Sequence, residues 1–144
     1  MNLDQFYTKE EDAKSCLKRL EKFFSLGDFD KIVEPSAGTG IFSDLLPNDK
    51  TESLDLDPKR DFIRKQDFFD YHPSSGSNIL TIGNPPFGRR GKLAKKFIEH
   101  AAQYSSVICF VLPSLFNKSS MIKTMPSKWH LVDNEVRVSE FVLP

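Results

Sequence analysis

The sequence has little cysteine, no net charge and no long apolar run, and each shortage removes a class of protein. Only Cys16 and Cys109 occur in 144 residues, too few for a disulfide framework. Cys16 falls in a helical pattern and Cys109 in an apolar run, where a small buried thiol is expected. That usage predicts an intracellular, reducing setting, cytoplasmic or nuclear. No apolar stretch approaches the roughly 18–20 residues of a membrane span, so no membrane partner is expected. The first five residues, Met1 to Gln5, lack the basic-then-apolar order of a signal peptide. His72, His100 and His130 show no metal-ligand spacing with one another or with the cysteines, so no metal is expected. A Ser/His/Asp arrangement is missing too, as are internal repeats and low-complexity linkers. A length of 144 residues, 39% of them hydrophobic and 28% charged, predicts a single domain over 1–144 with one core.

The zero net charge conceals an asymmetry. Residues 1–83 carry 11 Lys/Arg against 16 Asp/Glu, a net of −5, whereas residues 84–128 carry 8 Lys/Arg against Glu99 alone, a net of +7. A basic middle in a neutral chain predicts one surface that meets phosphates, against the plainer alternative of a solvated lysine-rich face.

Apolar positions Ala13, Leu17, Leu20, Phe23 and Phe24 recur at helical spacing between Glu10 and Leu26. Thr8 with Glu11 three residues later forms a capping-box pattern, and Gly27 supplies a stop. Strands are predicted at Lys31 to Glu34, Thr51 to Asp55, Phe62 to Gln66, Asn78 to Ile82 and Val107 to Leu112, with a sixth at Trp129 to Val138. A second helix opens at Ile41 to Leu46, and Leu93 to Tyr104 has the apolar stripe of a helix lying on a sheet. The fifth strand is apolar throughout, as expected of a parallel strand covered on both faces. Strands and helices alternating on this spacing predict an α/β fold, a Rossmann-like doubly wound, mostly parallel sheet.

In such sheets ligands bind at the carboxyl ends of the strands, and the motifs fall there. Gly38-Thr39-Gly40 follows the first strand, so backbone can approach a ligand closely. Ser43 stands where the nicotinamide-type fingerprint needs a third glycine. Asp55 ends the second strand and suits ribose hydroxyls, with Asp57 as its neighbour. Asp67-Phe68 follows the third: a carboxylate for an adenine amino group and a ring for its face. Asn84-Pro85-Pro86-Phe87 follows the fourth. Two prolines fix the backbone and remove two donors. The Asn84 side-chain oxygen and the Pro85 carbonyl are then placed to accept both hydrogens of an amino group. An aromatic amine has its lone pair delocalised into the ring, and two acceptors draw it toward tetrahedral geometry, aiming the lone pair at a methyl donor. Phe87 is placed to stack on a base flipped from its helix. Gly88-Arg89-Arg90-Gly91-Lys92-Leu93-Ala94-Lys95-Lys96 adds five cations beside this pocket, expected to contact phosphates.

Together, Gln5-Phe6-Tyr7-Thr8, Glu34-Pro35-Ser36-Ala37-Gly38-Thr39-Gly40, Asp55, Asp67-Phe68 and Asn84 to Phe87 resemble the class I adenine-N6 methyltransferases, in content and in order. The tetrapeptide is the most specific part, shared by DNA adenine methylases and ribosomal-RNA adenine methyltransferases. The resemblance implies S-adenosylmethionine as cofactor and adenine in DNA or RNA as substrate. It implies that Gln5 and Thr8 meet the cofactor's amino-acid end and Glu34 and Gly38 its methionine part, with Tyr7, Ser36, Ala37 and Gly40 also in the cofactor site. Asp55 would then take the ribose, Asp67 and Phe68 the adenine, and Asn84, which also borders the cofactor, would hold the target base with Pro85, Pro86 and Phe87. Two departures stand out. There is no target-recognition domain, which favours a structured RNA, a loosely selected DNA or a partner subunit. The family's last antiparallel strand also has no counterpart before Pro144, so the edge of the fifth strand is expected to be covered by the sixth strand moved inward, by a second copy of the chain or by a partner. Competing readings are a protein glutamine-N5 methyltransferase, a catalytically idle nucleic-acid-binding subunit and a nicotinamide-dependent oxidoreductase.

Overall fold

The computed structural model describes residues 8–73 and 77–134. Short apolar runs closed by turn residues become strands: β1 (Lys31–Glu34), β2 (Thr51–Asp55), β3 (Arg64–Lys65), β4 (Ile79–Gly83) and β5 (Val107–Phe110). They form one five-stranded sheet in the order β3-β2-β1-β4-β5, and each neighbouring pair is parallel. This is the α/β, Rossmann-like topology expected from the alternating pattern. β1 pairs with β2 on one side and with β4 on the other, so the connectivity reverses between β1 and β4. A crevice opens at such a switch point.

Successive strand residues point to opposite faces, and this splits the core in two. On one face Ile32, Leu80 and Ile82 pack against Ala13, Leu17 and Leu20 of α1 (Glu10–Leu20). On the other, Val33, Leu54 and Ile79 join Phe68, Tyr71, Phe97 and Ala101, with Phe97 and Ala101 supplied by α2 (Lys92–Ala102). Thr81, a polar residue in buried β4, has its hydroxyl bonded to Tyr104 Oη at 3.0 Å and Ser105 Oγ at 2.6 Å, which offsets the cost of burying it. α1 carries Glu10, Glu11 and Asp12 in its first turn and Lys18 and Arg19 in its last, the distribution that complements a helix dipole.

Several local expectations are corrected. α1 stops at Leu20, and Gly27 lies in a separate 3-10 turn, Leu26–Asp28. Its N-cap is Lys9 with no side-chain cap bond; the capping box does not form because the Thr8 hydroxyl is bonded to Asn84 instead. The helix expected at Ile41 to Leu46 is a single 3-10 turn, Ser43–Leu45, since Pro47 cannot continue a helix and restrains the residue before it. β3 shrinks to two exposed residues. β5 is half-buried along its whole length rather than covered on both faces. A cleft of about 810 Å³ runs along it, walled by α1 and by residues 128–134. Those last residues are pinned by Arg19, which donates to Asp133 Oδ1 at 2.8 Å and to the Asn134 carbonyl at 3.2 Å. No strand forms over 129–134, and the remainder of the expected sixth strand, with the residues after it, lies outside the described residues. Among the described residues no helix is long and apolar enough to cross a membrane, and no cluster of metal-ligating side chains occurs.

The turn after β4 depends on glycine. Gly88 has φ +71°, and a Cβ there would sit 2.6 Å from Leu93 Cβ. Gly88→Ala is expected to cost about 1–3 kcal/mol in a urea melt, from left-handed strain and a clash at the start of α2. An unchanged midpoint would show that this turn relaxes freely.

Candidate active site

The crevice between β1 and β4 is tied shut at its base by backbone and side chain. The Ser36 hydroxyl, in the loop after β1, donates to the Asn84 carbonyl after β4 at 3.0 Å. Asn84 Nδ2 donates to Thr8 Oγ1 at 3.0 Å, a strut from the N-terminal side of α1 to one end of the amide. The other end of that amide, Asn84 Oδ1, is buried and has no hydrogen-bond partner among the described residues. A buried, unpaired acceptor is costly.

Thr8, Glu34, Ser36, Ala37, Gly38 and Asn84 border one small cavity of about 20 Å³. Residues of the glycine loop thus meet Asn84 of the tetrapeptide there, whereas Gly40, Pro85, Pro86 and Phe87 do not border this cavity. The loop is held from below by Asp55: its Oδ2 accepts from Gly38 N at 2.8 Å and its Oδ1 from Asp57 N at 2.9 Å. Each carboxylate oxygen keeps acceptor capacity beyond those bonds. Gly38 adopts φ +60° and Gly40 φ +87°; Gly40 N donates to Ala37 O at 2.9 Å, closing the turn.

Glu34 ends β1 and is 1% exposed. It accepts from the Ser43 hydroxyl, which also contacts Ser53 Oγ at 2.6 Å. Burial pushes its pKa up to about 8, with the Ser43 bond opposing and the charges of Asp55 and Asp44 adding to the rise. At neutral pH it is chiefly a neutral, hydrogen-bonded acid.

Asp67 and Phe68 do not join this cavity. Asp67 caps the 3-10 turn Phe68–Asp70 through a 2.9 Å bond from Phe69 N. Phe68 is 2% exposed, stacked on Phe97 at 5.0 Å and edge-on to His100 at 4.7 Å. Its ring belongs to the core and offers no face to an adenine, a correction to its expected role. Sequence reasoning passed over two apolar residues at the same edge of the sheet. Leu56 is 66% exposed directly after Asp55, and Phe62 is 50% exposed, its ring 4.6 Å from the Arg60 guanidinium carbon and close beside Gly40. The available signal was an apolar residue between Asp55 and Asp57. Gln5 and Tyr7 lie outside the described residues.

Pro85 is buried, and Pro86 and Phe87 are half-buried. The Phe87 carbonyl accepts from Leu93 N and Ala94 N, both at 3.1 Å, which anchors the tetrapeptide to the first turn of α2. Thr8 and Phe87 also border the cleft of about 810 Å³ along β5, which touches the candidate site at one end rather than lying over the glycine loop. Arg89, Arg90, Lys92 and Lys96 are exposed and Lys95 half-buried. None of the five forms an ion pair among the described residues. Their charge faces outward at the end of β4. Comparison of the chain with protein-family models, with curated proteins and with solved structures finds no match.

Proposed function

We propose that the protein transfers a methyl group from S-adenosylmethionine to the N6 amino group of adenine in a nucleic acid. The single observation that carries this reading is the buried, unpartnered Asn84 Oδ1 at the switch point of the sheet. An amino group seated there donates one hydrogen to Asn84 Oδ1 and a second to the Pro85 carbonyl, which turns its lone pair out of conjugation. S-adenosylmethionine supplies an electrophilic methyl carbon on a sulfonium. With that cofactor bound, the amine nitrogen would take the methyl group, the sulfur would keep the bonding electron pair, and the surplus proton would pass to water. No strong base is required of the chain; positioning is the larger contribution. Gly38 and Ser36 border the small cavity beside Asn84, and Asp55 fixes Gly38 from below; these residues would hold the cofactor. Leu56 and Phe62 offer the apolar surface for its adenine that Phe68 does not.

The deciding experiment is transfer from labelled S-adenosylmethionine to pools of DNA and RNA, followed by nucleoside analysis. N6-methyladenosine or its deoxy counterpart supports the proposal. Label on a translation release factor alone would move the reading to protein glutamine methylation, and cofactor binding without transfer would leave an idle binding subunit. A thermal shift with the dinucleotide NAD, and none with the methyl donor, would overturn it at its base.

The five cations after Phe87 belong to the same proposal. Neutralising Arg89, Arg90 and Lys92 together should weaken nucleic-acid binding and flatten its salt dependence, by a log–log slope of roughly 0.7–0.9 for each phosphate no longer neutralised. Cofactor binding should be untouched. An unchanged slope would assign these side chains to an ordinary solvated face.

A further inference from the structure

Cys16 and Cys109 are the only cysteines in the sequence and lie 93 positions apart, yet the fold brings their Sγ atoms to 3.2 Å. Both pack at the edge of the same core. Cys16 lies on α1 among Ala13, Leu17 and Leu20, and Cys109 lies on β5, flanked by Val107 and Val111 on the same face. Two small apolar side chains filling a gap would account for burial. They do not account for two thiols in direct contact, both only half-buried, on the wall of the 810 Å³ cleft. A reagent entering that cleft reaches the pair. The step from contact to a bond of about 2.05 Å needs a shift of roughly 1 Å, divided between a helix and an edge strand.

We infer that Cys16 and Cys109 form a reversible dithiol–disulfide site whose reaction partner is a small disulfide of the glutathione type. The Cys16 thiolate attacks one sulfur of the reagent, breaking its S–S bond and expelling one thiolate. Cys109 then gives up its proton and attacks the Cys16 sulfur of the mixed disulfide, releasing the second thiol. The pair loses two electrons and two protons, and the reagent is reduced to two thiols. The order follows from the environment. The contact with Cys109 holds the Cys16 thiol below its ordinary range, against the opposing effect of burial. The same contact, together with burial and the charge of Asp133, pushes Cys109 up. Cys16 is thus the attacking thiol and Cys109 the resolving one. The bond would staple α1 to β5, and the strut from Thr8 to Asn84 leaves from the start of that helix.

The test does not depend on the methyl-transfer reading. The full chain is equilibrated in buffers of rising oxidised-to-reduced glutathione ratio, quenched by alkylation and weighed. The expected product is a monomer two hydrogens lighter, resistant to alkylation and restored by dithiothreitol. Its melting temperature should be higher by about 10 °C, because a crosslink across some 90 residues restricts the unfolded chain. Cys109→Ser should stop at a glutathione adduct on Cys16. Cys16→Ser should form no bridge and react at Cys109 more slowly than Cys109→Ser reacts at Cys16, because burial and Asp133 still oppose the Cys109 thiolate. A wild-type chain that retains glutathione, links into disulfide dimers, stays fully reduced, or melts lower once bridged would overturn the inference.

Discussion

Asn84→Ala is expected to lower methyl transfer about a hundredfold or more, the scale of removing one positioned acceptor for a charge that develops in the transition state, while the cofactor dissociation constant stays nearly the same. The contrast is expected because the buried Asn84 Oδ1 is the acceptor proposed for the amine, whereas the glycine loop is held by Asp55. Thr8→Val supplies the graded case. It keeps the shape but removes the hydroxyl that accepts from Asn84 Nδ2, so the amide is free to turn. Its kcat should fall with little change in the KM for nucleic acid, and Thr8→Ser should restore it. Full activity in Asn84→Ala would end the proposed mechanism. A fall in Thr8→Ser equal to that in Thr8→Val would assign Thr8 to packing alone.

The second large effect concerns pH. Glu34 titrates at about 8 in the folded protein against 4.5 for an unperturbed glutamate. Between those values the folded chain keeps a proton that the unfolded chain has shed. Stability from this group is therefore complete below about 4.5 and declines as pH rises through about 8. The full span is on the order of a few kcal/mol. Glu34→Gln keeps a neutral acceptor for Ser43 and has no charge to bury, so its stability should lack this decline. Its advantage over wild type should grow from acid toward pH 8, as measured by urea unfolding of the ligand-free protein at a series of pH values. Parallel curves for the two proteins would mean that Glu34 is ionised in the fold.

What could be read in advance was whatever has a strong local cause. β2, β4 and β5 follow from apolar or alternating runs between turn residues, and the switch-point crevice follows from their order. Asn84 to Phe87 could be placed at a strand end because two prolines and a glycine terminate β4. What escaped was decided by contacts far apart in sequence. Thr8 has a good capping partner three residues away, yet a bond to a residue 76 positions on takes its hydroxyl. Phe68 looks like a free ring beside a carboxylate, but Phe97 and His100 close around it. β3, with Arg64 and Lys65 as its only members, has no apolar signature. The contact between Cys16 and Cys109 has no local trace at all.

For the proposed cofactor site, the shortness of the turn after the glycine loop bears on which nucleotide would be preferred there. A full helix there would aim a column of aligned peptide dipoles at the ligand, an advantage to diphosphates and a handicap to cations. Ser43–Leu45 is three residues of 3-10 geometry and contributes little of either. A dinucleotide loses its main electrostatic anchor, while a ligand bearing a positive sulfur and a positive amine meets no repulsion. Selection by charge sign would then reside in backbone length, set by Pro47, rather than in any side chain that touches the ligand.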